Sequence, residues 1–170
     1  MTNRDIMLRA LKLHVLPQLR EQGFDGKYPN FKRTQPNCIE LIGFQANKWG
    51  SSFLVEMSAA FPNSNPQNFQ LYGDMTLDTL RIDASNRRYR LPGMFDGWFP
   101  YCDVYKKRVL FGKPRYHFVS PSEKNTFDPG KKYTLIQRFD EQAALAICQE
   151  VNKQLTQGFT WLQAFEQKHI

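Results

Sequence analysis

Residues 38–61, CIELIGFQANKWGSSFLVEMSAAF, decide the fold of this chain. They divide into two apolar segments, 38–46 and 51–61, which are joined by the short connection NKWG. In the second segment apolar residues fall on alternate positions from Phe53 to Phe61, the period expected of a strand with one buried face. We therefore predict a β-hairpin with one face in the core. The positions expected on its solvent-exposed face are Ser52, Glu56 and Ser58.

The N-terminal residues have the periodicity of a helix. Residues 3–22 carry one apolar stripe at steps of three and four. Its members are Leu8, Leu11, Val15 and Leu19. Thr2 or Asn3 can cap this helix, and Pro17 should kink it or end its first segment because proline lacks a backbone donor. Gly23 suits the left-handed position that follows a helix.

Several later segments have the character of strands. Residues 31–34 alternate and are predicted to form an edge strand, and residues 75–83 a further strand with a bulge. Residues 115–120 indicate another strand, and residues 133–139 one that closes the sheet. Residues 87–93 indicate a surface loop.

The C-terminal segment is helical. Asp140 suits an N-cap, Gly158 is expected to end the helix, and Thr160 to cap a last one. A helix, a run of strands and then helices predict one α+β domain over residues 1–170. We expect an antiparallel sheet of about five to seven strands, with the N-terminal and C-terminal helices packed on one face.

Part of this pattern resembles a known family. In the N-terminal third of the chain, the predicted helix ends in the sequence LREQGF at residues 19–24. FKR follows at residues 31–33, and predicted strands follow at 39–45 and 53–58. This pattern resembles a bacterial family of uncharacterised proteins, the domain of unknown function numbered four-three-zero-four. Trp98 and the closing helix fit more loosely, so that the resemblance covers most of the chain. It implies a compact α+β domain and carries over no catalytic residue; an immunity or effector-associated role is an analogy with other small families of this kind.

Composition limits the class of protein. The chain of 170 residues is 41% hydrophobic and 14% aromatic, which excludes a disordered composition. No secretion signal is visible, and no apolar run approaches the ~20 residues that span a bilayer. Cys38, Cys102 and Cys148 are odd in number and far apart, so we interpret them as free thiols of a reducing compartment. We therefore expect a cytoplasmic protein with no membrane partner.

The positive charge is concentrated in one quarter of the chain. The net charge is +7, and residues 84–122 hold eight Lys or Arg against only Asp96 and Asp103. Aromatic residues interleave with these cations, so the segment can bind an acidic protein or a nucleic acid. The candidate binding residues are Arg87, Arg88, Arg90, Trp98, Tyr101, Lys106, Lys107, Arg108, Arg115 and His117.

The sequence gives little support to catalysis or to a cofactor. It has no CxxC, no Cys/His pair at metal-ligand spacing and no phosphate-binding loop, so we expect neither a metal nor a cofactor. Of His14, His117 and His169, only His117 is a plausible acid or base. A nuclease site could be assembled on paper, but the spacing of its members does not favour it. These members are Glu56, Asp74, Asp78, Asp83 and Lys106.

Three hypotheses follow from the sequence. The preferred one is a non-catalytic interaction domain that presents the basic, aromatic region 87–117 to an acidic protein partner. The alternative is a nucleic-acid-binding protein that uses the same surface. The third is an enzyme with a site around His117, which requires a concave pocket where its side chains converge.

Overall fold

A computed structural model describes residues 1–168 of the chain. The helices over these residues are α1 (Asn3–His14), α2 (Leu16–Glu21) and α3 (Glu141–Gln167). The strands are β1 (Asp25–Lys27), β2 (Asn30–Thr34), β3 (Ile39–Ala46), β4 (Ser52–Ala60), β5 (Tyr89–Arg90), β6 (Phe99–Pro100), β7 (Val104–Lys107), β8 (Arg115–Phe118) and β9 (Tyr133–Gln137).

The described strands form two antiparallel sheets. The larger sheet has the order β1-β2-β3-β4-β5, with β6 also pairing with β4, and the smaller one has the order β8-β7-β9. Both terminal helices contribute to the core against the central strands, so the predicted α+β class with an antiparallel sheet is confirmed. Residues 133–139 were expected to close the main sheet; β9 belongs instead to the smaller one.

The predicted hairpin is present as β3 and β4. Its register pairs Ile39 with Ala60 and Ala46 with Phe53, and the amide of Asn47 donates to the carbonyl of Ser52 at 2.9 Å across the turn. The prediction that one face of β4 is exposed to solvent is wrong, because every residue of β4 is buried. A second hydrophobic cluster packs residues that follow β4 against β3 and β4. Its buried members are Leu41, Ala60, Met75, Leu80, Ile82 and Ala84.

The N-terminal helix divides as the proline predicts. Pro17 lies in the first turn of α2, where a missing donor costs nothing, and α1 ends one turn earlier. Thr2 caps α1 in a capping box with Asp5. Gly23 follows α2 at a φ of 82°, and the amide of Phe24 donates back to the carbonyl of Leu19 at 2.9 Å.

The C-terminal helix is continuous, which corrects the predicted break. Asp140 caps α3 through the amide of Ala143, as expected, but Gly158 and Thr160 both lie inside the helix. The reason for the glycine is close packing, because a Cβ at Gly158 would overlap the sulfur of Met57 on β4. The Thr160 hydroxyl donates to the carbonyl of Thr156 one turn earlier instead of capping a helix.

Two further strand predictions, one loop prediction and one missed strand need correction. Residues 31–34 are not an edge, because β1, whose Asp-Gly-Lys sequence suits a turn, pairs with β2 on its outer side. Residues 75–83 contain no strand; Ile82 begins a short 3-10 helix and packs where Gly43 of β3 leaves room for it. Residues 87–93 contain the short β5, and β7 lies where no strand was expected. Within residues 1–168, no helix has both the length and the hydrophobicity that a membrane crossing requires.

Candidate functional site

The candidate binding residues are divided between the two sheets. Arg87, Arg88, Arg90 and Trp98 accompany β5 and the approach to β6 in the larger sheet. The others, except for Tyr101, belong to the smaller sheet or follow directly from it. They are Lys106 and Lys107 on β7, Arg108 just after it, and Arg115 and His117 on β8. The structure therefore does not bring the ten residues into one surface.

Arg88 and Arg90 neutralise a buried carboxylate. Glu56 on β4 is 5% exposed, and it accepts from Arg88 Nη1 at 2.8 Å and from Arg90 Nη2 at 3.1 Å. Gln45 Nε2 donates to the same carboxylate at 3.0 Å. The register sets this arrangement, because Arg90 lies directly opposite Glu56 across the pair of β4 and β5. These two arginines are occupied in stabilising the fold.

The aromatic candidates also have structural contacts. Tyr101 is 5% exposed and packs between Phe53 and Phe139, so it is not part of an exposed surface. Trp98 is half-buried, and its backbone bonds with that of Phe95. The guanidinium of Arg87 lies 5.3 Å from the ring centre of Phe165 on α3.

The remaining candidates lie on one projecting element, which we call the basic hairpin: residues 104–118, formed by β7, its connection and β8. Lys107 lies directly opposite Arg115 on β8 and opposite Tyr133 on β9. Opposite residues of antiparallel strands share a face, so Lys107 and Arg115 project together. The other face is anchored through Tyr116, whose ring lies 4.9 Å from that of Phe95.

The tip of the basic hairpin is apolar and fully exposed. Leu110 and Phe111 are each 94% exposed, and Val109 beside them is 39% exposed. The signal in the sequence is the run VLF between KKR and GKP, in which apolar residues stand within a charged connection between two strands. Leu110 was not among the candidate residues.

The cations of this region have no acidic partner within residues 1–168. None of them occurs in an ion pair, although Arg108 donates through Nε to the hydroxyl of Thr134 at 3.4 Å. They are Lys106, Lys107, Arg108, Lys113 and Arg115 on the basic hairpin and Lys131 and Lys132 before β9. This end of the smaller sheet is thus an uncompensated positive surface around an apolar tip.

His117 lies in a concave region, not on a flat surface. Its ring stacks on Phe127 with centroids 4.4 Å apart, and Nε2 lies 3.5 Å from a carboxylate oxygen of Glu123. Trp49 and Ser122 line the same depression. The hydroxyl of Ser120 donates to Glu123 at 2.6 Å and so lowers the pKa of that carboxyl.

A nucleophile poised beside His117 is not found among the described residues. Nucleophilic catalysis needs a hydroxyl or thiol that donates to the imidazole. The Nε2 atom of His117 is buried and has no hydrogen-bond partner, and the nearby Ser120 hydroxyl donates to the carboxylate instead. His14 lies at the exposed end of α1, and His169 lies outside the described residues. Among residues 1–168, no three His, Cys, Asp or Glu side chains converge as a metal site would require.

Comparison with known proteins finds one family match, which includes β1 to β5 of the larger sheet. Residues 15–98 match the family model described as Domain of unknown function (DUF4304). Residues 15–98 are similar to the DUF4304 family. The match runs from the end of α1 through β5 to Trp98, which confirms the resemblance over the segment that contains the central hairpin. No curated protein and no solved structure matches the chain.

The DUF4304 match ends before every strand of the smaller sheet and before β6 of the larger one. The resemblance was expected to continue to the closing helix, but the matched segment ends at residue 98. The basic hairpin and α3 both follow that residue. The DUF4304 segment therefore includes the Glu56 ion pairs with Arg88 and Arg90, whereas the exposed apolar tip and its surrounding cations lie beyond it.

Proposed function

We propose that this protein is a non-catalytic interaction domain that binds an acidic protein partner through the basic hairpin. The observation that supports this function is the exposure of Leu110 and Phe111 at 94% each, at the end of an element whose lysines and arginines have no ion pair within residues 1–168. Relative to the hypothesis from sequence, the surface gains the apolar tip and loses five residues, which are Arg87, Arg88, Arg90, Trp98 and Tyr101.

The chemistry of this surface matches the anatomy of a protein interface. Such interfaces have an apolar centre, in which a few side chains supply most of the affinity, and a polar rim. Complete burial of one leucine or phenylalanine side chain is worth about 1.5–3 kcal/mol, so the tip offers a substantial anchor. The cations around it select a partner with an acidic rim and accelerate encounter with it.

A nucleic-acid partner is the second candidate, and the seven unpaired cations favour it. They could neutralise phosphates, with Phe111 available to stack on an unpaired base. Leu110 has no comparable role on a nucleic acid. Binding through phosphates would also weaken steeply with salt, whereas an apolar anchor would be affected much less.

Capture of proteins by matched variants tests the first proposal. Leu110→Ser/Phe111→Ser and Lys107→Glu/Arg115→Glu should each lose an acidic protein that the unaltered chain retains. The control variants replace two apolar or two cationic side chains at other exposed positions. They are Leu71→Ser/Leu77→Ser and Lys12→Glu/Lys27→Glu, which should retain that protein.

Nuclease treatment and salt separate the two candidates. The proposal requires that the same acidic protein be captured after complete nuclease digestion. If digestion abolishes capture, or if mixed oligonucleotides bind at ~50 mM salt and dissociate steeply as salt is added, the nucleic-acid candidate replaces it. Equal capture by all variants would contradict a role for the basic hairpin in either case.

A cytoplasmic location is part of the same proposal. It is supported by Cys38, Cys102 and Cys148, which are free thiols in the interior of the fold. Fractionation of cells that express the chain from its own gene tests it, and recovery outside the cytoplasm would contradict it.

A further inference from the structure

A cleft of about 580 Å³ lies at the N-terminal end of α1, beside the base of the basic hairpin. Its volume falls within the ~300–1,000 Å³ that is usual for pockets holding small organic ligands. The floor is formed by Tyr101 and Phe139, whose ring centroids are 6.4 Å apart, and Val119 and Pro121 form a wall. This interior is therefore mostly apolar.

The backbone of the cleft is firmly held. The amide of Tyr101 donates to the carbonyl of Ser51 at 2.9 Å, and the amide of Phe139 donates to Oδ1 of Asp103 at 2.8 Å. Gln137 on β9 donates to the carbonyls of Pro100 and Cys102 at 3.0 and 3.2 Å. The aromatic floor is thus fixed by contacts with both sheets, so a ligand would meet a preformed surface.

Three cationic side chains line the same cleft. They are Arg4 on α1, Lys124 in the turn after β8 and Arg138 between β9 and α3. All three are exposed, and none has an ion pair within residues 1–168. The carboxylate that lines the cleft, that of Asp103, already accepts the amide of Phe139.

The electrostatic influence of Arg4 extends to the phenols below it. Burial raises the pKa of both Tyr28 and Tyr101, and the positive charge of Arg4 opposes that rise in each case. The guanidinium therefore acts on the aromatic side of the cleft as well as on the solvent. An anion bound between the three cations would meet their positive charges beside an apolar floor.

We propose that this cleft binds a small amphipathic organic anion, with its flat or hydrocarbon body on Tyr101 and Phe139 and its carboxylate, sulfonate or phosphate between Arg4, Lys124 and Arg138. The apolar floor selects the body, and the three cations select the charged group. The site shares no residue with the basic hairpin, although Asp103 and Val119 of its lining directly adjoin β7 and β8.

A pair of matched probes tests this site. The anion 8-anilinonaphthalene-1-sulfonate should bind with one equivalent and a rise in fluorescence, more tightly than the neutral N-phenyl-1-naphthylamine. Arg4→Gln/Arg138→Gln should weaken binding of the anion by about tenfold, the effect of about 1.4 kcal/mol, and leave the neutral probe unaffected. Both arginines are exposed and unpaired, so this variant should fold normally, which circular dichroism checks.

Two further variants locate the bound probe. Val119→Trp should fill the cleft and abolish binding of both probes, whereas Leu110→Ser/Phe111→Ser should leave both unchanged. If the double arginine variant binds the anion as tightly as the unaltered chain does, the proposal is wrong. It is also wrong if the tip variant is the one that loses the signal, because the probe would then report the exposed apolar tip.

Discussion

The sulfur of Met57, in the middle of β4, occupies the space that a side chain at Gly158 of α3 would need. Met57 is completely buried and Gly158 is among the buried residues of α3, so the two elements pack closely at this point. This close approach explains a glycine in the interior of a long helix, where glycine costs about 1 kcal/mol relative to alanine. It also fixes where the C-terminal helix crosses the DUF4304 segment.

Gly158→Ala is therefore expected to destabilise the protein. The gain of about 1 kcal/mol in helix propensity is opposed by overpacking, which costs about 1–3 kcal/mol in a filled core, and a net loss of about 1 kcal/mol should result. Urea unfolding followed by circular dichroism measures it. In a Met57→Ala background the same substitution should become stabilising, because the obstructing sulfur is gone. An increase in stability in the unaltered background would disprove the packing argument.

Removal of the charge at Glu56 should expose the structural role of its two arginines. Glu56→Gln leaves Arg88 and Arg90 without their carboxylate and should lower the free energy of unfolding by about 1–3 kcal/mol. The matched control is Glu21→Gln, at an exposed carboxylate with no ion pair among residues 1–168, which should change stability by less than about 0.5 kcal/mol. Equal effects of the two substitutions in urea unfolding would show that the buried ion pairs contribute nothing.

Glu166 should make stability depend on pH. Burial, followed by hydrogen bonding to Glu40, raises the pKa of Glu166 above its ordinary value of 4.5. The folded protein therefore holds this proton more tightly than the unfolded chain does, and the resulting stability is present below pH 4.5 and lost as pH rises through the raised pKa.

Glu166→Gln should remove this dependence. The amide resembles the protonated acid and can still accept from the thiol of Cys38, which lies 3.3 Å from the carboxylate oxygen. The variant should match the unaltered chain at pH 4 and be more stable at pH 7, as measured by urea unfolding across that range. A variant that is less stable than the unaltered chain at pH 7 would contradict the stated direction of the shift.

The three thiols should be unreactive in the folded protein. Burial raises the pKa of Cys102 and of Cys148 to about 12, and that of Cys38 rises for the same main reason, so almost no thiolate exists near neutral pH. A disulfide reagent such as dithionitrobenzoate should label all three at pH 8 in concentrated guanidinium chloride and none without it. Rapid labelling of a native thiol would show that its surroundings open readily.

Local patterns in the sequence predict much of this fold. The alternation from Phe53 to Phe61 gave the hairpin, Pro17 gave the division of the first helix, and Asp140 gave the start of the last one. Each of these depends on a few neighbouring residues. The sequence was misleading at Gly158, because a glycine that ends a helix and one that admits another element cannot be told apart without tertiary contacts.

The charged surface was harder to predict for the same reason. Arg88 and Arg90 look like members of a basic surface until the pairing of β4 with β5 places Glu56 between them. The second face of β4 was expected to be exposed to solvent because part of its cover comes from residues 69–84, which have no regular period. Conversely, the run Val109-Leu110-Phe111 resembles core sequence, and only the structure places it at an exposed tip.

Photo-crosslinking from the tip tests the central claim most directly. With p-benzoylphenylalanine at position 111 in living cells, the account predicts a covalent adduct with an acidic protein, and the adduct should disappear when Lys107→Glu/Arg115→Glu is added. The same probe at position 71, on an exposed residue away from the basic hairpin, should give no such adduct. No adduct from position 111, or the same adduct from both positions, would contradict the account.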